Sequence, residues 1–150
     1  MAETKIELTV VINRPVAEVF AFIARADNMP RWAKYITDAA QTSEGPVDVG
    51  TTCYVVSKMM GMQVKQDFTV TECIPDRVYA ARSTSGPVPM ESRYVLEEAS
   101  GATELHVTVT TDLSGVMKMA GPLLNRRLRK QMREDHENLK RYLESERAAG

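Results

Sequence analysis

The feature that most constrains this chain is a long stretch, from about Thr37 to Leu113, in which apolar and polar residues alternate and glycine or proline punctuates the runs. A period of two sends successive side chains to opposite faces of an extended backbone, so the stretch reads as strands. The runs are Asp38–Glu44, Thr51–Lys58, Met62–Cys73, Arg77–Ser83, Met90–Glu98 and Thr103–Leu113, divided by Gly45-Pro46, Met59–Gly61, Ile74-Pro75-Asp76, Gly86-Pro87 and Ser100-Gly101. Connections this short join antiparallel neighbours. The alternation predicts one face with Val64, Gln66, Phe68 and Val70, then Tyr79, Ala81 and Ser83, then Met90, Ser92, Tyr94 and Leu96, then Leu105, Val107, Val109 and Thr111. Lys65, Asp67, Arg82, Glu91, Arg93 and Glu97 fall on the other face.

Upstream, Lys5–Asn13 alternates as a half-buried strand with Ile6, Leu8, Val10 and Ile12 on one side. Asn13 stands where an N-cap belongs, Pro15 suits a first helical turn, and Val16, Val19, Phe20 and Ile23 recur at helical spacing, predicting a helix to about Arg25. Asp27 or Asn28 can cap one further turn through Trp32. After Gly115 the period is helical again, with Met117, Ala120, Leu124, Leu128, Met132, Leu139 and Leu143 forming an apolar stripe. Pro122 predicts either a kink or a loop over Gly115–Gly121. This order of elements is α+β: a seven-stranded antiparallel sheet that buries its apolar face against one long helix. A helix about 10–12 Å wide cannot cover the whole concave face of a twisted sheet, so a cavity between them is expected.

Composition narrows the function classes. With 150 residues and 43% hydrophobic content, one domain spanning 1–150 with a full core is the simplest organisation. The 19 basic and 20 acidic residues leave a formal charge of −1, which gives no general attraction to nucleic acid. The longest apolar run, Val19–Ala24, is too short to span a bilayer, and Met1–Lys5 lacks a signal-peptide layout, so a cytoplasmic protein without stable membrane insertion is expected. Cys53, Cys73, His106 and His136 show no metal-ligand spacing, and neither a metal nor another cofactor is expected.

Candidate ligand contacts follow from the inward face. Trp32, the only tryptophan, and Tyr35 can wall the mouth of a pocket, or simply pack on the sheet edge. Gln66, Tyr79, Ser83, Ser92, Tyr94 and Thr111 are polar groups facing inward that need partners, which a ligand, water or one another can supply. Phe68 and Val109, with Leu124 and Leu128 from the helix, would line the same space. Arg82 and Arg93 point outward unless a bulge shifts their register. His106 reads as an exposed sheet residue and His136 as a solvated helix position between Asp135 and Glu137. A hairpin about Met59–Gly61 sets Cys53 opposite Phe68, so the two cysteines are read as unpaired, inert thiols. Met59, Met60, Met62, Met90, Met117 and Met119 are either gap fillers or a deformable apolar rim. Arg126–Arg133, with five bases and no acid, is either a solvated helix face or a contact for anionic headgroups.

The segments Ile12-Asn13-Arg14-Pro15-Val16-Ala17-Glu18-Val19-Phe20, Asn28-Met29-Pro30-Arg31-Trp32, Val49-Gly50-Thr51, Ile74-Pro75-Asp76-Arg77 and Asn138–Glu144 occur in an order that resembles the polyketide cyclase/dehydrase branch of the SRPBCC superfamily, which includes START and birch-pollen-allergen-like domains. The resemblance spans nearly the whole chain. It implies a helix-grip fold, a curved sheet wrapped on the C-terminal helix around a pocket for an apolar small molecule. The expected function is binding, with or without transport, of a hydrophobic or aromatic small molecule by a monomer or homodimer. The alternatives are a cyclase, aromatase or dehydratase acting on a polyketone in that pocket, with Tyr79, Ser83 and Tyr94 as hydrogen-bond donors, and a non-catalytic protein-interaction module. No catalytic residue is assigned.

Overall fold

The computed structural model describes residues 3–59, 61–112 and 123–145, apart from the side chains of Met59 and Leu124. Strand β1 (Glu3–Ile12) leads into helix α1 (Val16–Ile23) and a 3₁₀ turn (Ala26–Arg31). Strands β2 (Ile36–Gln41), β3 (Thr52–Met59), β4 (Met62–Ile74), β5 (Val78–Ser83), β6 (Met90–Ala99) and β7 (Ala102–Asp112) follow, and helix α2 (Leu123–Glu144) ends the described chain. The strands form one antiparallel sheet in the order β1-β7-β6-β5-β4-β3-β2. This is the helix-grip arrangement expected, with β2 beginning two residues before the predicted run and ending at Gln41. Gly115–Gly121, Pro122, Met60, Met117 and Met119 lie outside the described residues.

Register places the alternation as read. Tyr79 pairs with Tyr94, Ser92 with Val109, Tyr94 with Val107 and Met90 with Thr111, so these side chains share the inner face. Cys53 stands opposite Phe68. A bulge does occur, between Val70 and Glu72 of β4, but Arg82 and Arg93 stay outward: Arg82 is exposed, and Arg93 Nε donates to Glu72 Oε1 at 2.6 Å.

The start of α1 differs from expectation. Its N-cap is Pro15, with extended backbone and no side-chain capping bond, and the Pro15 carbonyl accepts from Glu18 N and Val19 N. Asn13 instead gives its backbone N–H to Glu144 Oε2 at 2.7 Å. Beside it, Arg14 Nε donates to the Leu143 carbonyl at 2.8 Å, satisfying an acceptor that the end of α2 would leave bare. The β1–α1 corner therefore clamps the C-terminal end of α2. Among the described residues, the ion pairs along α2 are Lys130–Glu134 and Lys140–Glu144.

Burial follows the clamp. Leu139 and Leu143 are essentially sealed, together with Ile12, Leu105 and Val107. Two and three turns from Leu139 toward the N-terminus, Met132 and Leu128 are only half-buried. The helix approaches the sheet at β1. Across the inner face, Val55, Val64, Ser83, Met90 and Ser92 are likewise half-buried.

Candidate functional site: the Trp32–Tyr94–His136 cluster

The centre of the interior is a buried aromatic and imidazole cluster. Tyr94, on β6, brings its hydroxyl to 3.0 Å from His136 Nε2, and His136 Nδ1 lies 2.7 Å from the Met132 carbonyl one helical turn back. A carbonyl only accepts, so Nδ1 carries the imidazole proton and donates it to Met132 O. Nε2 is then the acceptor, and Tyr94 is the donor. Burial pushes the His136 pKa down, opposed by the Met132 bond, so the ring is neutral at pH 7. Burial likewise raises the Tyr94 and Tyr79 phenols well above their ordinary values, and neither is a phenolate.

Trp32 closes the cluster from the end of the 3₁₀ turn. Its ring meets His136 edge to face, with centroids 5.0 Å apart, and the residue is 6% exposed. The segment that carries it is tied to α2 by Asp135, whose Oδ1 accepts from Lys34 N at 3.1 Å and Gln131 Nε2 at 2.8 Å. Half-burial raises the Asp135 carboxyl pKa against these two bonds.

His136 departs from the solvated position expected of it. It is 4% exposed, not solvated, because it occupies the turn between Met132 and Leu139 on the apolar stripe. An orienting partner, absent from the sequence pattern, is supplied by the backbone of its own helix. Replacing Tyr94 with Phe leaves Nε2 buried without a donor and is expected to lower stability by about 1–3 kcal/mol, measured as the shift in urea midpoint. An unchanged midpoint would mean that the 3.0 Å bond carries no weight.

Several inward polar candidates are held by protein instead of left for a ligand. Gln66 Oε1 accepts from Val88 N at 3.1 Å, Ser83 Oγ accepts from Met90 N at 2.9 Å, and Thr111 Oγ1 donates to Pro89 O at 2.8 Å. Together they fold the β5–β6 connection inward and bury Val88. Gly86 sits in that loop at φ +113°, where a Cβ would lie 2.3 Å from Gln66 Cγ, so no larger residue fits. The hydroxyls of Tyr79 and Ser92 make no hydrogen bond among the described residues, although Tyr79 is buried and Ser92 half-buried. Phe68 and Val109 are buried on the inner face, Phe68 with Cys53, Ala39 and Ala81 beneath the 3₁₀ turn. Tyr35 is 47% exposed, with the Lys34 ammonium 5.4 Å from its ring centroid, and it does not share the interior with Trp32. Leu128 is on the half-buried part of α2, and the Leu124 side chain lies outside the described residues.

Two features lie away from this interior. A cleft of about 380 Å³, lined by Val16, Asp76, Arg77, Leu96, Glu97 and Glu98, opens where α1 begins and β6 ends. On the outer sheet face, Glu97 and Glu104 both reach His106 Nε2, at 2.9 and 3.0 Å, while Nδ1 lies 3.1 Å from Thr9 Oγ1. His106 is therefore only half-exposed and has partners that its strand pattern did not reveal. Among the described residues this is the one group of His and acidic ligand atoms close enough to hold a metal ion. The bases from Arg126 to Arg133 are exposed, with Arg129 bonded to Asn125 and to the Lys5 carbonyl. Among the described residues no helix is long and apolar enough to cross a membrane.

A sequence model of the family described as polyketide cyclase / dehydrase and lipid transport matches residues 3–144. Among curated proteins, none matches by sequence. The di-domain ARO/CYC StfQ from the steffimycin biosynthetic pathway superposes with a TM-score of 0.77 at 13% identity, covering 99% of this chain and 53% of that one. The Zhui aromatase/cyclase from Streptomyces sp. R1128 gives 0.63 at 18% identity over 73% of this chain and 68% of its own. A START superfamily protein from Mycobacterium smegmatis gives 0.68 at 14% identity, covering 93% and 98%. At these identities the structures establish a shared fold.

Proposed function

This chain belongs to the polyketide cyclase / dehydrase and lipid transport family, and from that premise we propose that it binds a hydrophobic or aromatic small molecule between the concave sheet face and the N-terminal half of α2. The observation that carries the reading is the gradient of burial along the interior. Leu139, Leu143, Leu105 and Val107 are sealed, whereas Met132 and Leu128 on α2 and Met90 and Ser92 on β6 are not, beside the buried Val109 and Thr111 of β7. Apolar side chains left partly uncovered on two elements favour burial of an apolar guest, at roughly 25 cal/mol per Å² of surface removed from water. The free hydroxyls of Tyr79 and Ser92 would fix its orientation.

Native mass spectrometry of the protein isolated without organic solvent tests this reading. The expected spectrum contains a non-covalent adduct that dissociates on denaturation, or a bare protein that takes up one equivalent of an added naphthalene derivative. A bare protein that takes up none would contradict it.

The Tyr94–His136 bond favours a second reading, a cyclase or aromatase role like that named for two of the structural relatives. A neutral imidazole that accepts from a phenol can take a proton through it and return it elsewhere on a polyketone. The two readings part on the Tyr94→Phe variant. Binding weakened only modestly, with no turnover to lose, fits a carrier, while abolished ring formation from a poly-β-ketone fits the enzyme.

A further inference from the structure

The Trp32 indole nitrogen is buried, sealed from water and without a hydrogen-bond partner. The residue is more than nine-tenths buried. An indole N–H can only donate, so whatever relieves it must be an acceptor. Its ring neighbour cannot serve: His136 Nδ1 holds the proton given to Met132, and the Nε2 lone pair is taken by Tyr94. Buried donors are nearly always paired in folded proteins, and leaving one unpaired is costly. The cluster that contains Trp32 also includes side chains at its margin that can yield. Met29 and Met132, both half-buried and unbranched, pack against it.

We propose that the ligand presents a carbonyl-type acceptor oxygen to the indole N–H of Trp32, which makes Trp32 the residue that selects oxygenated over purely hydrocarbon aromatic guests. The inference rests on the binding function proposed above and adds its polarity. Tyr94 donates to His136 and does not compete for the same oxygen. The carbonyl would enter where the cluster has a donor to spare, and its apolar body would lie toward Met90 and Met132.

The chain has a single tryptophan, so one indole resonance and one emission band report on this group alone. The test compares 2-acetylnaphthalene with 2-isopropenylnaphthalene, which keeps the same heavy-atom skeleton with a methylene in place of the acceptor oxygen. The expected result is binding of the ketone about 3- to 10-fold tighter, with a downfield shift of the indole N–H proton on adding the ketone and little movement on adding the hydrocarbon. Trp32→Phe, which keeps a ring and removes the donor, is expected to bind the two probes equally. Equal affinities in the unmodified protein, or an indole resonance that does not respond to bound ketone, would overturn the assignment to Trp32 and leave the binding function standing. If neither probe binds, the binding function falls along with it. The resonance is read in the unmodified protein, so the test does not depend on the variant folding.

Discussion

Leu139→Ala is expected to destabilise the protein by about 2–5 kcal/mol, the range for truncating a sealed leucine. Leu139 is 0% exposed and lies in the half of α2 that the β1–α1 corner clamps through Arg14 and Asn13. Its side chain belongs to the cluster with Ile12, Val19, Leu105 and Val107. The informative control is Leu128→Ala, in the same helix and the same stripe but half-buried. That change removes atoms that already border uncovered space and should cost less than about 1 kcal/mol. Urea unfolding of both variants gives the comparison. Similar losses would mean that α2 is gripped evenly along its length, and the partial burial of Leu128 would carry no weight.

Acid should weaken the fold through His136. Its folded pKa is depressed by burial, so the unfolded chain, with an imidazole near 6.5, binds the proton more readily than the native state. The contribution is therefore fully present above about pH 6.5 and is lost as the pH falls below it, by up to about 1.4 kcal/mol per pH unit until the folded pKa is reached. Asp135, with a raised carboxyl, works in the opposite direction and only in the lower range where carboxylates titrate. A His136→Gln variant offers a non-titrating acceptor to Tyr94 and keeps Asp135, so the difference between the two proteins isolates the imidazole. Between pH 7.5 and 5.5 the unmodified protein should lose roughly 1 kcal/mol more than the variant. Parallel pH curves would show that His136 is not buried as a neutral ring.

Much of this structure was legible in the chain, for identifiable reasons. The strand pairing followed from period-two alternation between short Gly and Pro turns, and Cys53 opposite Phe68 follows from the length of one hairpin. The inward face of Gln66, Tyr79, Ser83, Ser92, Tyr94 and Thr111 came from the same alternation. Alternation could not say which of these hydroxyls and amides were already satisfied. The bonds of Gln66, Ser83 and Thr111 go to the backbone of Val88, Pro89 and Met90, a loop path that no residue pattern encodes. His136 was misread because its neighbours Asp135 and Glu137 are charged, although the gap between Met132 and Leu139 on the stripe leaves room for one inward residue at that turn. Counting positions from Met132 finds it: an i+4 residue lies on the same face. Pro15 stands at the cap in place of Asn13 because α1 begins at Val16, which leaves Asn13 two residues too early for its side chain to cap the first turn. Tyr35 looked paired with Trp32 by proximity in sequence, but the chain turns outward between them into β2.

The proposed binding function places the guest between the inner face of β6 and β7 and the N-terminal half of α2. Methyl-resolved NMR during titration with 2-acetylnaphthalene addresses it most directly. The expected perturbations fall on Met90, Val109, Leu128 and Met132, and spare Val56 and Val95 on the outer face. Shifts confined to Val16 and Leu96, beside the separate 380 Å³ cleft, or to the outer-face valines, would contradict it.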